Sequence, residues 1–240
     1  MRVDVVDLRG FYASPLGAVA RMVISRAIES RWSNSSGLAM LGLGYAIPYL
    51  DAVKEGSERT LAFMPAAQGV VHWPSSGLSA SALVDAEDMP LRDSTIDRVL
   101  LVHALEVAEN PAEMLSEIWR VLAPGGRVLA IVPTRRGMWA RSDITPFGQG
   151  QPFSRTQLLA LMREALFTPI HWGEALYVPP VQKRIFLRSA MAWERFGAVL
   201  SVPFASVHVI EATKQVYRPA LNKKPARAKL TLRPVLAPGG

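Results

Sequence analysis

Gly42-Leu43-Gly44 follows an apolar run, Leu38 to Leu41, and leads directly into a segment with helical character. A strand that ends on closely spaced glycines and passes into a helix N-terminus is how an open sheet offers backbone to a nucleotide. A dinucleotide site asks for a third glycine after the first two and for a ribose-binding acid about 20 residues on. Here position 47 is Ile and the next apolar run ends in Met64, so NAD and FAD are disfavoured. No Gly-Lys-Ser/Thr follows, which excludes a P-loop. What remains is a shorter glycine turn approached closely by a small ligand. The chain has no cysteine, so disulfides, thiolate metal sites and thiol chemistry are absent. His72, His103, His171 and His208 are far apart with no i,i+4 pair, and no metal site is expected.

The elements that must position these residues read as alternating helices and strands. Ser14-Pro15 is an N-cap followed by proline in the first turn, opening a helix to about Arg31 with Leu16, Val19, Val23 and Ala27 on one face. Strands are expected at 38–43, 60–64, 81–86, 97–103, 127–133, 169–178 and 206–213. Helices are expected at 46–55, 110–123, 154–167 and 182–198, with Asn110 and Ser154 as caps and Pro124-Gly125-Gly126 as a stop. The stretch 66–80 is rich in small and turn residues and replaces a helix by loop. This alternation predicts an α/β fold with a doubly wound parallel sheet, whose ligands bind beyond the carboxyl ends of the strands.

At 240 residues, half of them hydrophobic, the chain suits one such domain with extensions. The expected division is a helical N-terminal extension (1–32), the main domain (33–217) and a basic, loosely ordered tail (218–240). The net charge of +7 is uneven: no acid follows Glu211, whereas seven of the 27 lysines and arginines do. The tail has two readings, a solubilising end or a nucleic-acid contact. No secretory signal and no apolar run of membrane-spanning length is visible, so a cytoplasmic protein is expected.

The segment from Asp85 to Pro133 resembles the second half of the small class I S-adenosylmethionine-dependent methyltransferases. The matching motifs are Asp85-Ala86-Glu87, Met89-Pro90, Ile96-Asp97, His103 to Glu106, and Glu117-Ile-Trp-Arg120-Val-Leu-Ala-Pro124-Gly125-Gly126, with Gly42-Leu43-Gly44 upstream. The resemblance implies a Rossmann-like seven-stranded sheet of order 3-2-1-4-5-7-6, its last strand antiparallel, and S-adenosylmethionine as cofactor. It also implies roles. Gly42, Leu43 and Gly44 face the methionine part of the cofactor; Met64 stands where an acid receives the ribose. Asp85 meets the adenine amino group, Ala86 covers the ring edge, and His103 lines the methyl end. Two departures stand out: Met40 replaces an acid before the turn, and Ala46 replaces its third glycine.

The family carries no portable catalytic residue, because methyl transfer is an in-line displacement helped mainly by positioning. For the acceptor, small or macromolecular, the loop after the fifth strand offers Arg135, Arg136 and Trp139, suited to an anionic or aromatic group, with Trp172 and Tyr177 near the same mouth. The expected function is an S-adenosylmethionine-dependent methyltransferase. The missing acids at positions 40 and 64 motivate an alternative, a degenerate methyltransferase-like module that binds protein or RNA. A third reading is an RNA methyltransferase guided by the tail.

Overall fold

The structure is a computed structural model that describes residues 4–142, 144–181, 189–200 and 205–216. Seven strands form one sheet: β1 (Ala39–Gly44), β2 (Arg59–Pro65), β3 (Ser81–Val84), β4 (Ile96–Val102), β5 (Leu122–Pro133), β6 (Phe167–Ala175) and β7 (Val207–Lys214). Their order is β3-β2-β1-β4-β5-β7-β6, with β7 antiparallel to both of its neighbours and the other pairings parallel. The helices are α1 (Val5–Ala13), α2 (Pro15–Glu29), α3 (Ile47–Val53), α4 (Pro111–Val121), α5 (Arg155–Glu164) and α6 (Ala190–Leu200).

Strand residues alternate between two apolar layers, as the two-residue period of a strand requires. Met40, Leu100, Val102, Leu129, Ile131, Val207 and Val209 pack with Leu8 and Tyr12 of α1, Leu16, Val23 and Ile24 of α2, and Leu50 of α3. Leu41, Leu43, Val99, Leu101, Val128 and Ala130 pack on the other face with Leu115 and Ile118 of α4 and Leu158 and Met162 of α5. Residues 5–29, expected as an extension, therefore share the core that covers one face of the sheet.

The caps behave as their residue types predict. The Ser14 hydroxyl accepts from Gly17 N, Asn110 Oδ1 from Glu113 N, and Ser154 with Gln157 forms a full capping box. Two expectations shift. The helix α1 was not expected; Asp4 caps it by accepting from Val6 N and Asp7 N, and Gly10 within it hides the pattern. Pro124-Gly125-Gly126, expected as a helix stop, lies inside β5, which pairs Ile96 with Leu122 and then Arg98 with Arg127 across a register shift. The last helix is described from Ala190; residues 182–188 of the expected span, and the basic tail 218–240, lie outside the described residues. Between β2 and β3 the chain forms no helix, as its composition predicts.

Candidate active site

The glycine turn sits at the carboxyl end of β1, between β2 and β4. A Cβ at Gly42 would lie 2.8 Å from Ala46 Cβ and 2.8 Å from a Leu50 methyl, so this glycine lets α3 pack onto the strand. Gly44 has φ +82°, a region that glycine enters without strain, and Tyr45 N donates to Val102 O at 2.8 Å. Ala46, in place of a third glycine, has φ −82° and is unstrained. Met40 and Met64 are fully buried.

Helix α1 crosses this turn. The Tyr12 ring stacks on Tyr45 (centroids 5.6 Å), and Tyr49 donates to the Tyr12 hydroxyl at 2.9 Å. The Tyr12 hydroxyl in turn lies 2.9 Å from His103 Nε2, while His103 Nδ1 lies 3.2 Å from Glu106 Oε1. With Tyr49 as donor, the one proton of Tyr12 is free for Nε2, which places the imidazole proton on Nδ1, facing Glu106. Burial raises the pKa of both Tyr12 and Tyr49, keeping the hydroxyls protonated. His103 has φ +51°, a sparsely populated region for a residue with a side chain.

Beyond this buried chain a hollow of about 280 Å³ opens between the ends of β2, β3 and β4. Asp85, Ala86 and Glu87 line one side, Pro65 to Gln68 another, and Ala104, Val107 and Met114 the third. Asp85 is exposed; its Oδ1 accepts from Glu87 N at 2.9 Å. Gln68 is 4 % exposed, and its Nε2 donates to His103 O at 3.0 Å. That bond fixes the amide orientation and leaves Gln68 Oε1 buried without a partner.

The structure thus brings Asp85 and Ala86 together around one hollow, whereas Gly42, Leu43, Gly44 and His103 are buried and do not line it. Met64 does not line it either; its neighbour Pro65 does. Arg135 and Arg136 are exposed beside a second hollow past β5, shared with Arg155, Glu174 and His208. Trp139 corrects the expectation of an acceptor contact: it is 0 % exposed, donates Nε1–H to Val178 O at 2.6 Å, and packs edge-on against Phe11 and Phe147. Tyr177 is buried, while Trp172 packs against His208 with centroids 4.6 Å apart. Tyr12, Gln68, Arg155 and His208 went unread in the sequence. Only Tyr12 left a trace, as Leu8 and Tyr12 sit four apart after a capping Asp4. Among the described residues no cluster of three or more His, Asp or Glu could hold a metal ion, and no helix is long and apolar enough to cross a membrane.

Fold and sequence comparisons agree on the class. Residues 42–130 match the family model described as a methyltransferase domain. The chain is 44 % identical over 50 residues to the ubiquinone/menaquinone biosynthesis C-methyltransferase UbiE of Acidiphilium cryptum, covering 21 % of this chain and 20 % of that protein. Among solved structures, an S-adenosylmethionine-dependent methyltransferase of Thermotoga maritima, a possible histamine N-methyltransferase, superposes with a TM-score of 0.59 at 16 % identity. That match covers 88 % of this chain and 96 % of the other. The cyclase SpnF superposes with a TM-score of 0.57 at 19 % identity, covering 81 % and 80 %. Residues 42–130 thus match a methyltransferase domain, and the fold is the one seen in solved S-adenosylmethionine-dependent methyltransferases. The matched segment spans about a fifth of the curated relative, and a cyclase on the same fold is a reminder that architecture alone does not set the reaction.

Proposed function

We propose that this chain transfers a methyl group from S-adenosylmethionine to a small-molecule acceptor bound past β5. The observation that carries the reading is the hollow between β2, β3 and β4, which lies within the matched segment and is lined by Asp85 and Gln68. Its residues fit the nucleoside half of the cofactor. Asp85 Oδ2, with no hydrogen bond among the described residues, is the acceptor for the adenine amino group, and Ala86 and Glu87 wall the ring. Gln68 is the candidate to stand in for the ribose-binding acid that Met64 lacks; its neutral amide oxygen, buried here without a partner, accepts more weakly than a carboxylate. The amino-acid half would belong at the Gly42-Leu43-Gly44 turn, next to which Tyr12 of α1 stacks on Tyr45, so α1 would have to move for it to bind there.

The cofactor, when bound, supplies a methyl carbon open to displacement by the acceptor's lone pair. His103 Nε2 lines neither hollow; were α1 to move, it would be freed from the Tyr12 hydroxyl and would be the candidate base for the acceptor's proton. Glu106 Oε1, 3.2 Å from Nδ1, would orient that ring.

Calorimetric titration of the full chain with S-adenosylmethionine and S-adenosylhomocysteine tests this reading. Saturable binding of both is expected, with Asp85→Ala about tenfold weaker or more. No heat and no thermal shift at millimolar ligand would sink it.

A further inference from the structure

We infer that the hollow past β5 binds the oxyanion, a carboxylate or a phosphate, of a small methyl acceptor. It has a volume of about 530 Å³ and lies at the same carboxyl edge of the sheet as the nucleoside hollow. Calling its ligand the acceptor rests on the methyltransferase reading; the anion site itself does not.

Three features converge on it. Arg135, Arg136 and Arg155 line it, and none forms an ion pair within 4 Å among the described residues. Arg135 spends only its Nε on Pro152 O at 3.4 Å, and Arg155 lies over the Trp172 ring at 4.9 Å, which restrains it without consuming its charge. The N-terminus of the ten-residue helix α5 opens on the same space: Ser154 caps Gln157 N, and the amides of Arg155 and Thr156 have no partner inside the helix. The third feature is His208, only 5 % exposed, whose Nδ1 lines up with no hydrogen-bond partner. Glu174 Oε1 is 3.4 Å from that nitrogen but does not bond to it.

Three guanidiniums against one carboxylate leave two positive charges in excess, with His208 neutral at pH 7. An oxyanion offsets that excess and takes bidentate guanidinium bonds together with helix amides. It also brings negative charge close to His208, which lines the hollow, so the imidazole resonances report its arrival. Glu174 sets the limit: the ligand is a compact oxyanion rather than an extended polyanion, since a long run of phosphates would meet the carboxylate.

Imidazole NMR signals of the full chain read the site directly, with His208→Gln assigning one of four histidines. At constant ionic strength, inorganic phosphate and benzoate are titrated separately against chloride. A saturable shift of the His208 signal is expected, with His72 and His103 unmoved. Arg136→Ala combined with Arg155→Ala weakens it about tenfold or more, as does Thr156→Glu, which plants a carboxylate at the helix start. These are exposed positions, so thermal melts are expected to stay close to those of the parent chain. The tighter of the two probes names the source of the oxyanion. A linear shift equal to that of chloride, or an affinity indifferent to the substitutions, overturns the site. A single-stranded RNA that binds tighter than phosphate with the same substitution dependence overturns the small-molecule ligand. S-adenosylhomocysteine titrated into the same samples separates the two readings: phosphate binding without it removes the acceptor role, and cofactor binding without phosphate removes the oxyanion site alone.

Discussion

At Gly44 the backbone has φ +82°, and a Cβ built there would meet Val102 O at 2.3 Å and His103 O at 2.9 Å. Gly44→Ala is therefore expected to destabilise the fold by about 2–4 kcal/mol in denaturant unfolding, so a bulky residue at this position tests folding before it tests ligand binding. Gln68 offers a cleaner probe of the cofactor reading. Gln68→Leu removes a neutral acceptor and is expected to weaken S-adenosylhomocysteine about three- to tenfold, measured by calorimetry. An unchanged affinity would leave the ribose without a protein acceptor in this hollow. His208 gives a pH signature. Burial pushes its pKa down to about 4, with Arg155 adding to the effect and the Phe153 carbonyl opposing it. Above pH 6.5 both folded and unfolded chains hold it neutral. As pH falls towards 4 only the unfolded chain takes the proton, so stability drops by up to about 3 kcal/mol. Glu174, raised by burial, contributes in the opposite sense, stabilising at low pH and losing that as pH rises. Thermal melts of His208→Gln from pH 4 to 7 are expected to show a shallower slope than the parent chain.

Among the elements, α1 and α4 do different work. Helix α1 links to the strand ends through Val5 N on Gln68 O at 2.8 Å and through Tyr12 on His103, so it joins the turn, the nucleoside hollow and the candidate base. If the amino-acid half of the cofactor lies beneath it, hydrogen exchange of the α1 amides should change on saturation with S-adenosylhomocysteine, while α4 stays unchanged. Equal behaviour of the two helices would remove the proposed swing. Helix α4 carries a structural clamp instead. Arg120 donates to both Glu117 oxygens at 2.7 and 2.6 Å, to Asp93, and to the carbonyls of Met89 and Leu91, tying the β3–β4 connection to the helix. The Arg120 guanidinium holds the Glu117 carboxyl below its usual range. Arg120→Met strands a buried carboxylate and is expected to cost about 2–4 kcal/mol at pH 7. That loss shrinks as pH falls through the depressed Glu117 value and the carboxylate protonates, which denaturant unfolding at pH 7 and pH 3 compares.

For the whole molecule, charge and core are separable. Removing residues 218–240 takes away six bases and no acid, lowering the net charge from +7 to +1. If the tail contacts nucleic acid, this truncation should weaken binding to single-stranded RNA and flatten its salt dependence; an unchanged slope would dismiss the tail as a nucleic-acid arm. The sheet is covered on both faces, α1, α2 and α3 on one and α4 and α5 on the other, and the candidate sites share the one edge where the parallel strands end.

How much of this was legible depended on how local the signal is. Helix caps, the seven apolar strands and the loop replacing a helix after β2 follow from short-range chemistry, namely side-chain oxygens on free amides, a two-residue period and turn residues. The motifs from Gly42 to Gly126 pointed to the methyltransferase fold for the same reason, being contiguous pieces of chain. The occupants of the clefts were not legible. Tyr12 and His103 are 91 residues apart, and Trp139 reached the core through Val178 and Phe11 when its neighbours Arg135 and Arg136 suggested a surface loop. Gln68, with no partner for Oε1, and His208, with none for Nδ1, become conspicuous only once burial removes the water that would have satisfied them. Local pattern was enough for the elements and their class. The orphaned polar atoms, the cover over the glycine turn and the cationic hollow required the folded chain, because desolvation and long-range contact have no trace in residue order.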